Sequence, residues 1–308
     1  MTNAALFLAS TFFFFLKFPQ QPELFLTRDL TREQAFTRNC EGPVLDARGR
    51  LFVVNLEQDG TIGCVSENGE TQVFVRLPEG SVGNSLRFDT RGALYVADFK
   101  AHNVLRVDTT TKNVSIYAHS EEFNQPNDLC IRKNGQLFAS DPNWRDSTGK
   151  LWRIDPETKG SQGSSNLASG NISGKAVLLE QNMGTTNGLT LSPDDRTLYV
   201  NESLQRKIWK YRVDTRGNIS QKQLFTQFTD FGLDGMKCDK AGNLYVTRYG
   251  KGVIAVFSPR GVLVREIALK GKDCSNCTFG GKDGKTLYVT LQDRKCVEMV
   301  RVNIAGDQ

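Results

Sequence analysis

Apolar and polar residues alternate in short runs along most of this chain, and no segment of useful length keeps the spacing of an amphipathic helix. The runs come in pairs around polar turns. "EGPVLDARGRLFVV" (41–54) is the first such pair, followed by "GNSLRFDTRGALYVAD" (83–98) and "PNDLCIRKNGQLFASD" (126–141). "TNGLTLSPDDRTLYVNE" (186–202), "LDGMKCDKAGNLYVTR" (233–248) and "SNCTFGGKDGKTLYVT" (275–290) complete the set. Each is a short strand, a turn usually containing Gly, and a second strand with an aromatic: Phe52, Tyr95, Phe138, Tyr199, Tyr245 or Tyr288. Alternation around turns of this kind predicts six β-hairpins.

Two more strand-like runs follow most hairpins, such as "NVLRVD" and "NVSIYAH" after Tyr95, or "VIAVFS" and "VREIAL" after Tyr245. Four strands per repeat of about 40–50 residues predict propeller blades. The chain therefore reads as all-β: a six-bladed β-propeller with four antiparallel strands per blade. The last repeat stops one strand short, and "ELFLTRD" (23–29) stands unassigned before the first. A closed ring leaves no open sheet edge, so this N-terminal strand is expected to complete the sixth blade. The propeller domain is placed at 21–308, with an apolar tail at 1–20. The Gly/Ser-rich stretch at 157–174 reads as a surface loop within the third repeat.

Composition narrows what the ring can do. A net charge of +5 is spread over 308 residues without a basic run, so no nucleic-acid partner is expected. The only histidines, His102 and His119, lie outside the repeated motifs, which argues against a histidine triad or a histidine-rich metal site. Cys274 and Cys277 form a lone C-x-x-C, and seven cysteines without disulfide-type spacing read as buried thiols of a cytoplasmic protein. Residues 4–18 resemble the apolar core of a signal peptide, which leaves secretion or a periplasmic location as the alternative. They lack a basic leader and a small-residue cleavage site, and are too short to predict a stable membrane partner. Oligomeric state is not legible.

Counting back eleven or twelve residues from each hairpin aromatic reaches Glu41, Asn84, Asn127, Asn187, Asp234 and Asn276. All six carry side-chain oxygens and open the innermost strands, so the ring should gather them at one mouth of its channel. Asn and Asp also recur at strand entrances simply because they make good turns. Six polar positions in register, two of them carboxylates, favour the other explanation, an all-oxygen site for a hard cation. Ca²⁺ suits such a set, and Mg²⁺, Mn²⁺ or Zn²⁺ also accept carboxylate and water ligands. A cation would neutralise Glu41, which otherwise costs free energy at the head of a buried strand.

At these motifs, over about residues 35–305, the chain resembles the SMP-30/gluconolactonase/luciferin-regenerating family, whose six-bladed propellers include diisopropyl fluorophosphatase. "QPNDL", "TNGLTLSPDDRTLYV", "DGMKCDKAGNLYV" and "CTFGGKDGKTLYVT" match its motifs in order. The resemblance implies one catalytic divalent metal, usually Ca²⁺, with ligands mapping onto Glu41, Asn127, Asn187 and Asp234. It further implies opening of a sugar or related lactone, a small-molecule substrate, with Asp234 as catalytic base, Glu41 as metal anchor and Asn127 orienting substrate. Asp128 is a second candidate carboxylate. "SDPNWRDSTGKLWRID" (140–155) resembles the loop beside the gluconolactonase site and puts Trp144 and Arg145 forward for substrate binding. Tyr249 is a further loop-borne candidate. Gln125 stands where animal sugar lactonases often carry Arg. Phosphotriester or fluorophosphate hydrolysis on the same metal, and a non-catalytic binding propeller with a structural metal, are the alternative functions.

Overall fold

The computed structural model describes residues 23–156 and 173–307. Among them, all helix-or-strand structure is β. Strand β1 (Thr27–Asp29) comes first, ahead of blade 1, which is β2 (Phe36–Leu45), β3 (Leu51–Leu56), β4 (Thr61–Val65) and β5 (Thr71–Arg76). Blade 2 holds β6 (Gly83–Phe88), β7 (Leu94–Asp98), β8 (Asn103–Val107) and β9 (Val114–His119). Blade 3 holds β10 (Leu129–Ile131), β11 (Leu137–Asp141), β12 (Gly149–Pro156) and β13 (Gly174–Met183). Blade 4 is β14 (Thr186–Leu191), β15 (Thr197–Glu202), β16 (Lys207–Val213) and β17 (Ile219–Gln227). Blade 5 is β18 (Met236–Cys238), β19 (Leu244–Arg248), β20 (Val253–Phe257) and β21 (Leu263–Ala268), and blade 6 is β22 (Cys274–Gly280), β23 (Thr286–Leu291) and β24 (Cys296–Arg301).

Each blade is one four-stranded antiparallel sheet, and the sixth is completed by β1 against β24, so the sheet order is β1-β24-β23-β22. The N-terminal strand thus closes the ring as the repeat pattern required. The closure is reinforced by charge: Asp29 on β1 meets Lys270 at 2.6 Å and Arg294 at 2.7 Å, and Arg294 also pairs with Glu33. The apolar tail at 1–20 and most of the predicted 157–174 loop lie outside the described residues.

Alternation along the strands sends one set of side chains from each sheet into the space between neighbouring blades. Phe52, Val54 and Ile62 of blade 1 pack with Leu86, Leu94 and Val96 of blade 2. Comparable layers join each successive pair, and Phe36 and Leu51 of blade 1 pack with Val297 of blade 6. The hairpin aromatics are wedges in these layers, edge-on to a partner ring in pairs such as Phe52–Phe88 and Tyr245–Phe279. Burying such rings is the main force holding blade to blade.

A shared irregularity marks the innermost strands. The pairing register slips between Glu41 and Val44, Gly83 and Ser85, Thr186 and Leu189, and Cys274 and Cys277. In blades 3 and 5 the same slip appears in the hydrogen bonds: Ser140 faces both Asn127 and Asp128, and Thr247 faces both Asp234 and Gly235. Every blade therefore carries a β-bulge at its axial polar residue. A bulge adds one residue to one strand and re-aims the side chains beyond it.

Candidate metal centre at the channel mouth

The axial residues converge as the repeat predicts. Glu41, Asn127, Asn187, Asp234 and Asn276 are all buried, and Asn84 is half-buried. Space at the axis is tight enough to constrain the residue after three of them, Gly42, Gly188 and Gly235. A Cβ on Gly235 would lie 2.1 Å from the Asn276 side chain, and one on Gly42, whose φ is +57°, would lie 2.6 Å from the Asn84 carbonyl. Glycine at these positions lets each blade approach the next closely enough for the polar side chains to meet.

The six are not equivalent. The Asn84 amide donates to the Asn127 carbonyl at 3.2 Å. Asn276 Oδ1 accepts the Cys277 N–H at 2.9 Å, while its side chain also hydrogen-bonds the Glu41 carboxylate. These two asparagines are occupied in bracing their neighbours. Glu41 additionally accepts the Gly42 N–H, and Asp234 hydrogen-bonds both the Glu41 carboxyl and the Asn187 side chain. Asn127 Oδ1 is buried with no hydrogen-bond partner among the described residues. An orphaned buried carbonyl oxygen costs about 1–3 kcal/mol.

The carboxylates are equally uncompensated. Burial, then the charge on Asp128, pushes the Glu41 carboxyl up to about 8. Burial, then the charges of Glu41 and Asp128, holds Asp234 well above the usual carboxylate range. Burial and nearby negative charge thus hold both carboxyls towards their neutral forms when nothing cationic is near. Among the described residues no group of three or more His, Cys, Asp or Glu converges as a metal site; the donors here are two carboxylates and neighbouring amides. A buried amide oxygen without a partner and two buried carboxyls at the same mouth fit a hard divalent cation, which would neutralise the carboxylates and satisfy the oxygen.

Asp128 has a different place. Its carboxylate accepts from Ser85 Oγ at 2.6 Å, Arg87 Nη2 at 2.9 Å, and the N–H groups of Leu129 and Leu189 at 2.9 and 3.2 Å. Four donors commit it to tying blades 2, 3 and 4 together behind the mouth. Sequence reading missed Ser85 and Arg87 because neither repeats from blade to blade. It also missed Asn201, whose amide donates to the Asp234 carbonyl.

The proposed substrate contacts sit further out. Gln125 is half-buried and its N–H donates to Asp141. Trp144 and Arg145 lie in the β11–β12 loop, which rises at the same end of the ring as the axial residues. Trp144 is 42% exposed, and Arg145 is exposed and forks onto Asp146. Tyr249, following β19, donates to Gln292 at 3.2 Å. Burial and the charges of Asp273 and Asp234 push its phenol up to about 12. His102 and His119, in blade 2, hydrogen-bond the Asn124 carbonyl and the Asn103 side chain. All seven cysteines are free, and Cys274 and Cys277 are fully buried.

Fold and site together define a six-bladed propeller with an acidic, amide-rimmed mouth on its axis. The chain belongs to the SMP-30/gluconolactonase/LRE-like family, whose model matches residues 40–293. It is 31% identical over 275 residues to a gluconolactonase of Zymomonas mobilis, covering 81% of this chain and 75% of that one. It is 26% identical to a putative sugar lactone lactonase of Bacillus subtilis, covering 85% and 86%. Among solved structures, a calcium-binding regucalcin of Agrobacterium tumefaciens superposes with a TM-score of 0.75 at 19% identity, over 90% of this chain and 95% of that one, a likeness of fold.

Proposed function

We propose that this protein is a divalent-metal-dependent lactonase that opens a sugar or related lactone to its hydroxy acid. The observation that carries the reading is the unpartnered Asn127 Oδ1 at the same channel mouth as the buried Glu41 and Asp234 carboxyls. The gluconolactonase relative supports the reaction class. Glu41, Asn127, Asn187 and Asp234 are the proposed ligands, and Ca²⁺ the proposed ion. A cation held there would supply Lewis-acid polarisation of the lactone carbonyl.

The chain's own residues do the rest. Asp234 takes a proton from the attacking water, whose oxygen bonds to the carbonyl carbon. The ring C–O bond breaks, and Asp234 returns the proton to the departing alkoxide, so one water is consumed and one hydroxy acid released. Burial, then the charges of Glu41 and Asp128, raises the proton affinity of Asp234, the direction a general base needs. Asn187 and the Asn201 amide fix its side chain and backbone. Gln125, Trp144, Arg145 and the Asn127 amide are the proposed substrate contacts. The buried free thiols support a reducing, cytoplasmic setting.

The test is a panel of five- and six-membered sugar lactones followed by pH-stat titration of released acid. Turnover of at least one, abolished by EDTA and restored by Ca²⁺, is expected. Absence of acid release across the panel, or full turnover in EDTA, would overturn the reading.

A further inference from the structure

The far end of the channel carries a second ring with different chemistry. Three residues beyond each axial polar residue stand Val44, Arg87, Cys130, Thr190, Lys237 and Phe279, about 10 Å further along the strands at 3.3 Å per residue. In an unbroken strand, residues three apart face opposite sides; the bulge in every blade restores both to the axis. All six line one cavity of about 310 Å³.

Arg87 and Lys237 are the two cations of this ring. Arg87 Nη2 is used on Asp128 and Nη1 on the Leu86 carbonyl, but its Nε is buried without a partner, in a residue only 5% exposed. The Lys237 backbone pairs with Tyr245, but its ammonium makes no hydrogen bond or ion pair among the described residues. Burial, then repulsion from Arg87, lowers that ammonium to about 8, and the Asp128 charge offsets this only in part. Three of the four carboxylates lining the cavity are engaged elsewhere. Asp46 caps its own turn and pairs with Arg50, Asp89 accepts the Arg91 and Ala93 N–H groups, and Asp195 accepts the Lys133 N–H. The fourth, Asp307, is raised chiefly by burial, with Lys133, also on the lining, acting against it. Between the two inward cations, Asp128 is the one carboxylate bonded, and to Arg87 alone. The Thr190 and Thr278 hydroxyls line the same space.

We propose that this cavity binds a small tetrahedral oxyanion, held by the Lys237 ammonium, the Arg87 guanidinium and the two threonine hydroxyls. The site is separate from the metal centre, and its existence does not depend on the lactonase reading. Charge-assisted bonds from a buried Arg and a half-buried Lys facing one cavity are an arrangement that oxyanions select.

The probe is inorganic phosphate, titrated calorimetrically into the full chain at constant ionic strength. EDTA is included so that no cation at the opposite mouth competes for it. One saturable site per chain is expected. Lys237→Met, which keeps the stem and removes the charge, should weaken phosphate at least tenfold, whereas Lys237→Arg should retain it within about threefold. A second measurement needs no variant: phosphate should slow acylation of Lys237 by an amine-reactive reagent and leave Lys240 unchanged, read by peptide mass spectrometry. Non-saturable heat with the wild-type chain, equal affinity in Lys237→Met, or unprotected Lys237 labelling would each sink the proposal.

Discussion

The two ends of the channel are built from the same six strands, three residues apart, yet they solve opposite electrostatic problems. At the mouth all six positions are polar, two are carboxylates, and Asn127 Oδ1 and the Glu41–Asp234 pair lack compensation. At the far end the ring is mixed, and only Arg87 and Lys237 carry charge. A uniformly polar ring suits one central ion held from several blades, whereas a mixed ring suits an anion held from one side. Asp128 stands between them, drawn to Arg87 and repelling Glu41 and Asp234. It acts on both ends: it pairs with Arg87 and raises the proton affinity of the carboxyls at the mouth.

The largest effect should come from breaking the ring that both ends share. Deleting residues 1–30 removes β1 and Asp29, leaving β24 an unpaired edge and Arg294 and Lys270 without that partner. Cooperative melting, lactone turnover and phosphate binding should fall together. Deleting 1–20 should leave all three nearly unchanged. Equal melting curves for the two truncations would refute the closing role of β1.

Next in size is Asp234→Asn, which should touch the mouth alone. Loss of a general base costs about 10²–10⁴-fold in turnover, and excess Ca²⁺ should not restore it. Phosphate affinity at the far end should remain that of the wild type. Full recovery of turnover at high Ca²⁺ would make Asp234 a ligand only.

Glu41→Gln is expected to be milder. It keeps size and an oxygen donor but removes one charge, so Ca²⁺ affinity measured by calorimetry should drop on the order of 100-fold. Here turnover should return as Ca²⁺ is raised. If it does not, Glu41 takes part in the proton transfer and the two carboxylates cannot be assigned separate roles.

The smallest effect concerns pH. Glu41 and Asp234 bind protons more tightly folded than unfolded, so the metal-free native state carries more protons than the unfolded chain above the ordinary carboxylate range. Stability from this source is complete below about pH 4.5 and is lost as pH rises towards about 8. The melting temperature in EDTA should therefore carry a decline from pH 5 to 8. The increment from Ca²⁺ should grow over the same range, because fewer protons compete. A Ca²⁺ increment that shrinks with pH would contradict a mouth whose carboxyls bind protons in place of the cation.

The repeats, the strand count, the closing strand and the six axial positions could all be read from residue order. Their signals are local: alternation of period two, turn residues, and an aromatic at a constant offset. The family motifs added a ligand set but no geometry. Tertiary structure alone decided which of those polar groups is spare. Asn84 and Asn276 look like Asn127 in sequence, and only the folded hydrogen bonding, across blades for Asn84 and to the Cys277 N–H for Asn276, engages those two and leaves the Asn127 oxygen open. Asp128 became a brace because donors from blades 2 and 4 reach it. Arg87 and Lys237, 150 positions apart, share a cavity because every inner strand bulges at its axial residue. Which side a strand residue faces depends on its register with the partner strand, and a one-residue slip reverses it; register belongs to the pair of strands, and so to the fold.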